Sequence, residues 1–433
     1  GGEPPVVWSW LPFLGSALDF GSDALKLLEA QRRKHGDVFV IVVAGNRMVF
    51  VCDEKAAAKI ASSRDLKFSP FVMDVLVKAF GFPRAHAPLY FEKVDSATHK
   101  QMAEFLLNAS ALEALTAETS ARIDAVVARL VREARREWSL YDLVKQVTFE
   151  AMVGAIFGET VLGDDPKTLL RIVDDFDEAF PLLVAGAPSR SGTRALGVLT
   201  SRFLIEDYEK DAGDFIKARA RVFREGLPTR HSGATLQASL LWGSVANLMA
   251  AAFWTLFYVL KQPSFVDKVR AECCNGEPDA WVFLDRVITE AFRLSSGSMV
   301  MRHAERPTTV TTAQTKQAFK IRAGDRVAVF PPLAHLDPAK FPDPRTFDPD
   351  RHVNNADGKN SGVLAFGAGA SMCPGRKLAR REIKMVIAQL LTHFHIDLVD
   401  PSATPPLVLS RVGLGIYPPA VPVLVNLTPR TQQ

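Results

Sequence analysis

The chain has 433 residues, 48% of them hydrophobic and 23% charged, with a formal net charge of +4. That supports a large core and sets a prior of two or three domains, and it is too weakly basic to point to nucleic acid. Its four cysteines, Cys52, Cys273, Cys274 and Cys373, show no Cys-x-x-Cys metal spacing and no secreted disulfide framework.

The chain opens Gly1-Gly2-Glu3-Pro4-Pro5, proline-rich and without an apolar leader. The β-branched runs 38–43 and 48–51, on either side of Ala44-Gly45-Asn46-Arg47, predict a hairpin. From about 96 to 267 the pattern is mostly helical, with the small, polar, basic stretch 187–194 read as a loop. Residues 240–260 are nearly all apolar and as long as a membrane span. Gly243, Ser244 and Asn247 interrupt the run, so it is read as a core helix.

Further on, Leu284, Val287, Ile288, Ala291 and Phe292 form one apolar helix stripe. Glu290 and Arg293 sit i,i+3 on another side, where their side chains meet. A turn between strands follows at 321–327. Pro331, Pro332, Pro338, Pro342, Pro344 and Pro349 then mark an irregular meander that contains Phe347-Asp348-Pro349-Asp350-Arg351. No internal repeat or long low-complexity tract appears.

The most informative stretch is Phe366-Gly367-Ala368-Gly369-Ala370-Ser371-Met372-Cys373-Pro374-Gly375-Arg376. One cysteine stands in a glycine-punctuated loop ahead of a helix whose apolar positions are Ile383, Val386, Ile387, Leu390, Leu391 and Phe394. Thiolate is the metal-binding form of cysteine. Gly367 and Gly369 permit close backbone approach, Phe366 can shield the sulfur, and Pro374 is tolerated at a helix start. The positive end of the helix favours a thiolate. A lone cysteine otherwise packs as a small hydrophobe; this context instead presents it to a large flat metal cofactor.

Together these segments resemble the cytochrome P450 family, the haem-thiolate monooxygenases, over nearly the whole chain. The resemblance implies a mainly α fold in one domain spanning 1–433. A β-rich lobe would comprise about 1–70, 300–330 and 405–427, and a helical lobe about 95–300 and 360–400. It implies haem b ligated by Cys373, with Phe366, Gly369 and Gly375 around the ligand. Glu290, Arg293 and Arg351 would form a buried ion-pair triad, and Arg302 would bind a haem propionate. The family's early Trp-x-x-x-Arg propionate motif is missing, leaving His99 and Lys100 as substitutes. Ser371 stands where many relatives carry Arg or His. Electrons would come from NADPH through a flavoprotein reductase docking at Arg376, Lys377, Arg380, Arg381 and Lys384. The expected setting is a monomer on the cytosolic face of the endoplasmic reticulum membrane, with any anchor outside this chain.

Most family members carry an acid–alcohol pair in the central helix. Here the aligned positions, set by Trp254, are Ala246 and Asn247. That helix, the stretch 294–298, the stretch 373–384 and the closing 405–419 resemble the subgroup of sterol and oxysterol 7α-hydroxylases, the sterol 12α-hydroxylase and prostacyclin synthase. Asn247 admits either hydroxylation or a redox-neutral rearrangement of a lipid peroxide; Ala246 before it matches the hydroxylases. A non-catalytic haem or lipid-binding protein is a third reading. Val245, Ala246, Met249, Ser298, Met299, Val412 and Gly413 are the expected substrate contacts. Their small and apolar side chains suit a sterol, steroid or other polycyclic terpenoid.

Overall fold

The computed structural model describes residues 2–10, 14–53, 55–133, 135–274, 276–312, 315–354 and 361–430. It divides into two units. The first comprises Gly1–Met73, Thr289–Cys373 and Leu407–Pro418, the second Asp74–Ile288, Pro374–Pro406 and Pro419–Gln433.

The first unit is built on a five-stranded sheet. Its strand order is Val38–Val43, Asn46–Val51, Arg326–Val329, Val300–Ala304 and Leu66–Lys67. The predicted hairpin pairs Val38 with Val51 and Val43 with Asn46. Ala44 and Gly45 turn it at φ 46° and 75°, the positive pair that matches the right-handed twist of the strands. Strand alternation then sorts the side chains onto two faces. Val38, Val40, Val49, Val51, Val300, Ala304, Val327 and Val329 fill one core. Phe39, Ile41, Met48, Phe50, Met301 and Ala328 fill the other, against Phe20, Ala24 and Leu28 of the Ala17–His35 helix. Each fully buried side chain of this size contributes about 1.5–3 kcal/mol.

The second unit is helical. The 31-residue helix Arg230–Leu260 runs through it and is mostly buried, so its span-like hydropathy belongs to a core helix. Thr229 starts that helix by accepting the Ser232 N–H at 3.2 Å. A three-stranded sheet of Glu137–Ser139, Leu424–Pro429 and Phe394–Leu398 completes the unit.

Two expectations are corrected. The expected loop at 187–194 contains the start of the Arg190–Arg202 helix, because Ser189 Oγ accepts the Gly192 N–H at 3.1 Å and caps it. The cysteine loop belongs with the sheet unit rather than the helical one, since Ala368 lies in the valine-rich core and Gly369 lies against Ala61.

Candidate active site

Val282–Ser295 forms the expected amphipathic helix, and its polar pair is fully buried. Arg293 donates to Glu290 Oε2 through Nε at 2.8 Å and to Oε1 through Nη2 at 2.7 Å. It also donates to the carbonyls of His335, Pro344 and Thr346. Glu290 further accepts the Asp348 N–H at 3.1 Å and meets His352 Nε2 at 2.9 Å. Burial alone would raise the Glu290 pKa, but the hydrogen bonds of Arg293 and His352 outweigh it and hold the carboxyl below its ordinary value.

The expected ion-pair triad is present, with Arg293 and Arg351 both within salt-bridge distance of Glu290. Arg351 Nε stands 3.5 Å from Glu290 Oε1 and makes no hydrogen bond, while its Nη2 donates to the Asp343 carbonyl. His352, the next residue, takes the third hydrogen-bonded place. Its adjacency to Arg351 was the only signal in the sequence.

The cysteine loop is locked against this helix. Phe366 packs edge-on to Phe292, with ring centroids 5.3 Å apart. Its carbonyl accepts the Cys373 N–H at 3.0 Å. Gly367 and Gly369 take φ of +79° and +67°, and a Cβ on Gly369 would lie 2.8 Å from that of Ala61. Here glycine is required both by conformation and by close approach. Gly375 is different: it caps the Arg376–His393 helix at φ −78°, a value any residue adopts. Among the described residues no group of His, Cys, Asp and Glu side chains could hold a metal ion. A lone thiolate from Cys373 would suit a metal whose other ligands come from a macrocycle.

Arg302 extends from the strand Val300–Ala304 to the same face as Val300 and Ala304. It is only 3% exposed. It donates to the carbonyls of Met301 and Ala61 and to Ser371 Oγ at 2.5 Å, and it lies over the Phe68 ring. These partners are all neutral, and burial pushes its pKa down. A buried guanidinium supported only by neutral acceptors is costly, and its fork matches a carboxylate. The arginine and the cysteine loop share Ser371, so the residues present fit a haem bearing a propionate near Arg302. Ser371, a departure from the family pattern, is what joins them.

The other propionate candidates fare differently. His99 and Lys100 are exposed, and His99 Nδ1 lies 2.8 Å from the Asp95 carbonyl of its own helix.

In the Arg230–Leu260 helix, the expected substrate contacts Val245, Ala246 and Met249 are buried. Ser239, Leu240, Gly243, Ser244 and Asn247 are at least partly accessible and share one helix face, with the half-buried Trp242 beside it. Asn247 is on it; Ala246 is not. A Cβ on Gly243 would meet nothing within 4 Å. Just before this face Trp242 donates to Asp177 Oδ1 at 2.8 Å and stacks on Phe180 at 3.9 Å. Sequence reading missed this aromatic support because its partners lie 62–65 residues away.

Ser298, Met299, Val412 and Gly413 are brought together in the first unit. Ser298 bridges to Gly413, and Met299 and Val412 pack on the phenylalanine-rich core. Ser298 is buried and its hydroxyl donates to the Leu364 carbonyl at 3.2 Å. Its hydroxyl therefore holds the backbone at Leu364.

The basic cluster is largely neutralised. Lys384, 2% exposed, donates to Asp285 Oδ2 and the Pro278 carbonyl, both at 2.6 Å. Arg380 pairs with the same Asp285, and Arg381 forks onto Asp279. Lys377 is exposed and Arg376 half-buried.

The sequence profile described as Cytochrome P450 matches residues 4–186 and 216–424. The chain belongs to the cytochrome P450 family, and with Cys373 in its loop it is a haem-thiolate oxidoreductase of the monooxygenase class. Pig cytochrome P450 7A1 is 31% identical, over 97% of this chain and 92% of that protein. Mouse cytochrome P450 7B1 is 27% identical, over 96% and 89%. Human 7-alpha-hydroxycholest-4-en-3-one 12-alpha-hydroxylase is 28% identical, over 96% and 91%. The solved structure of retinoic acid bound cyanobacterial CYP120A1 superposes with a TM-score of 0.74 at 19% identity, covering 99% of this chain and 100% of that one. That likeness speaks for the fold.

Proposed function

We propose that this protein hydroxylates a sterol or a closely related steroid, using dioxygen and electrons delivered from NADPH by a flavoprotein reductase. The observation that carries the reading is the full-length likeness to sterol-directed relatives. The residues of the cysteine loop and Arg302 support it. Haem b, when bound, supplies oxygen activation, and a cysteine thiolate ligand favours O–O cleavage.

The chain's own residues supply the rest. Cys373 donates the thiolate, and the glycine-shaped loop fixes its backbone through Phe366. Arg302 holds a propionate with the charge its neutral partners leave uncompensated. Asn247 replaces the family's acid–alcohol pair with an amide, a side chain that combines a hydrogen-bond donor and an acceptor. Leu240 and Gly243 offer an apolar, shallow surface on the same helix face, suited to a rigid hydrocarbon skeleton.

Two exposed tryptophans near the start of the chain, Trp8 at 81% and Trp10 at 74%, suit a membrane interface. They support a working place on the endoplasmic reticulum surface, where a sterol is dissolved. Lys377, which is exposed, is offered to an acidic reductase.

The test is product mass under isotopically labelled dioxygen, with sterol substrates, with and without NADPH and reductase. One labelled oxygen in the product, only with reductant, is the expected result. A product of unchanged composition formed from a lipid peroxide without reductant would overturn the reading in favour of an isomerase.

A further inference from the structure

Leu364 lies two residues before Phe366, and both of its backbone groups are held from outside the loop. Its N–H donates to His335 Nε2 at 3.0 Å. Its carbonyl accepts the Ser298 hydroxyl at 3.2 Å and the Gly367 N–H at 3.2 Å. The turn that begins at Leu364 carries Phe366, whose carbonyl in turn receives the Cys373 N–H.

His335 is itself fixed. It is 0% exposed and ends the short helix Pro332–His335. Its carbonyl accepts Arg293 Nη1 at 2.7 Å. One residue thus connects the buried Glu290–Arg293 pair to the cysteine loop, through its carbonyl on one side and its ring on the other.

Because Nε2 accepts, the imidazole is neutral and carries its proton on Nδ1. Nδ1 has no hydrogen-bond partner. An apolar side chain of similar size would avoid that unsatisfied donor, so the imidazole is explained by its acceptor. Burial, reinforced by the Arg293 charge, keeps the ring neutral by pushing its pKa down to about 3.

We propose that His335 is a positioning residue for the haem-ligand loop: its ring nitrogen fixes the Leu364 N–H and so sets the register of the turn from which Cys373 is held. The proposal rests on the reading of Cys373 as the iron ligand.

The experiment uses the haem-loaded protein and the ferrous–CO spectrum, read as the ratio of the thiolate-ligated band to the non-thiolate band, with haem content and circular dichroism recorded alongside. His335→Leu keeps bulk and removes the acceptor, and His335→Gln returns an acceptor at the Nε2 position. Ser298→Ala releases the other grip on Leu364 with minimal change of volume, and answers the question if His335→Leu does not fold.

The expected result is an about tenfold fall in the band ratio for His335→Leu, the factor one buried hydrogen bond commands. A smaller fall in Ser298→Ala and recovery in His335→Gln complete the pattern. A wild-type ratio in folded, haem-loaded His335→Leu or, should that variant not fold, in Ser298→Ala would overturn the proposal. So would His335→Gln behaving no better than His335→Leu. A wild-type protein with no thiolate band would instead overturn the Cys373 reading, and the proposal with it.

Discussion

Replacing Glu290 by Gln changes one atom in the most buried charge pair of the first unit. Each carboxylate oxygen meets two hydrogen-bonding groups: Oε1 faces Arg293 Nη2 and the Asp348 N–H, and Oε2 faces Arg293 Nε and His352 Nε2. An amide can offer an acceptor to only one of these pairs. The other would face an NH2 group, and Arg293 would lose its counter-charge at 0% side-chain exposure. Breaking a buried pair from one side costs about 3–5 kcal/mol. At roughly 2.1 cal/mol/K of unfolding entropy per residue, a chain of 433 residues converts that into a melting-temperature fall of about 3–6 °C. Thermal unfolding of the haem-loaded variant at neutral pH measures it. The acid limb gives a second reading. The Glu290 pKa is depressed in the fold, so its stabilisation is present above the unfolded value and is lost as pH falls through the folded one. A variant that melts within 1 °C of wild type would refute the description of Glu290 as a buried, ionised hub.

Other outcomes follow from the same geometry. Cys373→Ser should abolish the Soret band characteristic of the thiolate–CO complex while circular dichroism stays unchanged; a retained band would remove Cys373 as the ligand. Arg302→Leu should speed haem transfer to an acceptor protein about 10- to 100-fold, the worth of a hydrogen bond to a charged group, with Arg302→Lys intermediate. His335 is neutral in the fold and its pKa is depressed from 6.5 to about 3. Below pH 6.5 the unfolded chain binds a proton that the folded one refuses, so stability falls with pH until about 3. The wild-type minus His335→Gln stability difference should therefore drop by about 2 kcal/mol between pH 7 and pH 5; a flat difference in denaturant unfolding would contradict the burial of a neutral ring.

The cysteine loop, the hairpin and the Glu290 helix were legible because each is a local pattern. Turn glycines, a 3.6-residue stripe and an i,i+3 pair declare themselves within a few positions. What stayed hidden was long-range exchange of partners. Nothing near His352 announces that it would join Arg293 and Arg351 at Glu290, 62 positions back. The cluster from Arg376 to Lys384 reads as a free basic face until folding brings Asp279 and Asp285 against it. Small polar residues at 187–194 read as loop, although Ser189 is a good helix cap. The motif locates the central helix, but only packing decides that Val245 and Met249 are covered while Gly243 and Ser244 are not.

The glycine at 243 has a bearing on how this enzyme could diversify. Mid-helix glycine costs about 1 kcal/mol relative to alanine, and here the space ahead of the missing Cβ is open. Alanine, valine or leucine at this one position would take up that space in steps without disturbing the packed core behind it. One codon therefore sets how far the helix face that carries Asn247 is filled, with stability rising at the first step to alanine.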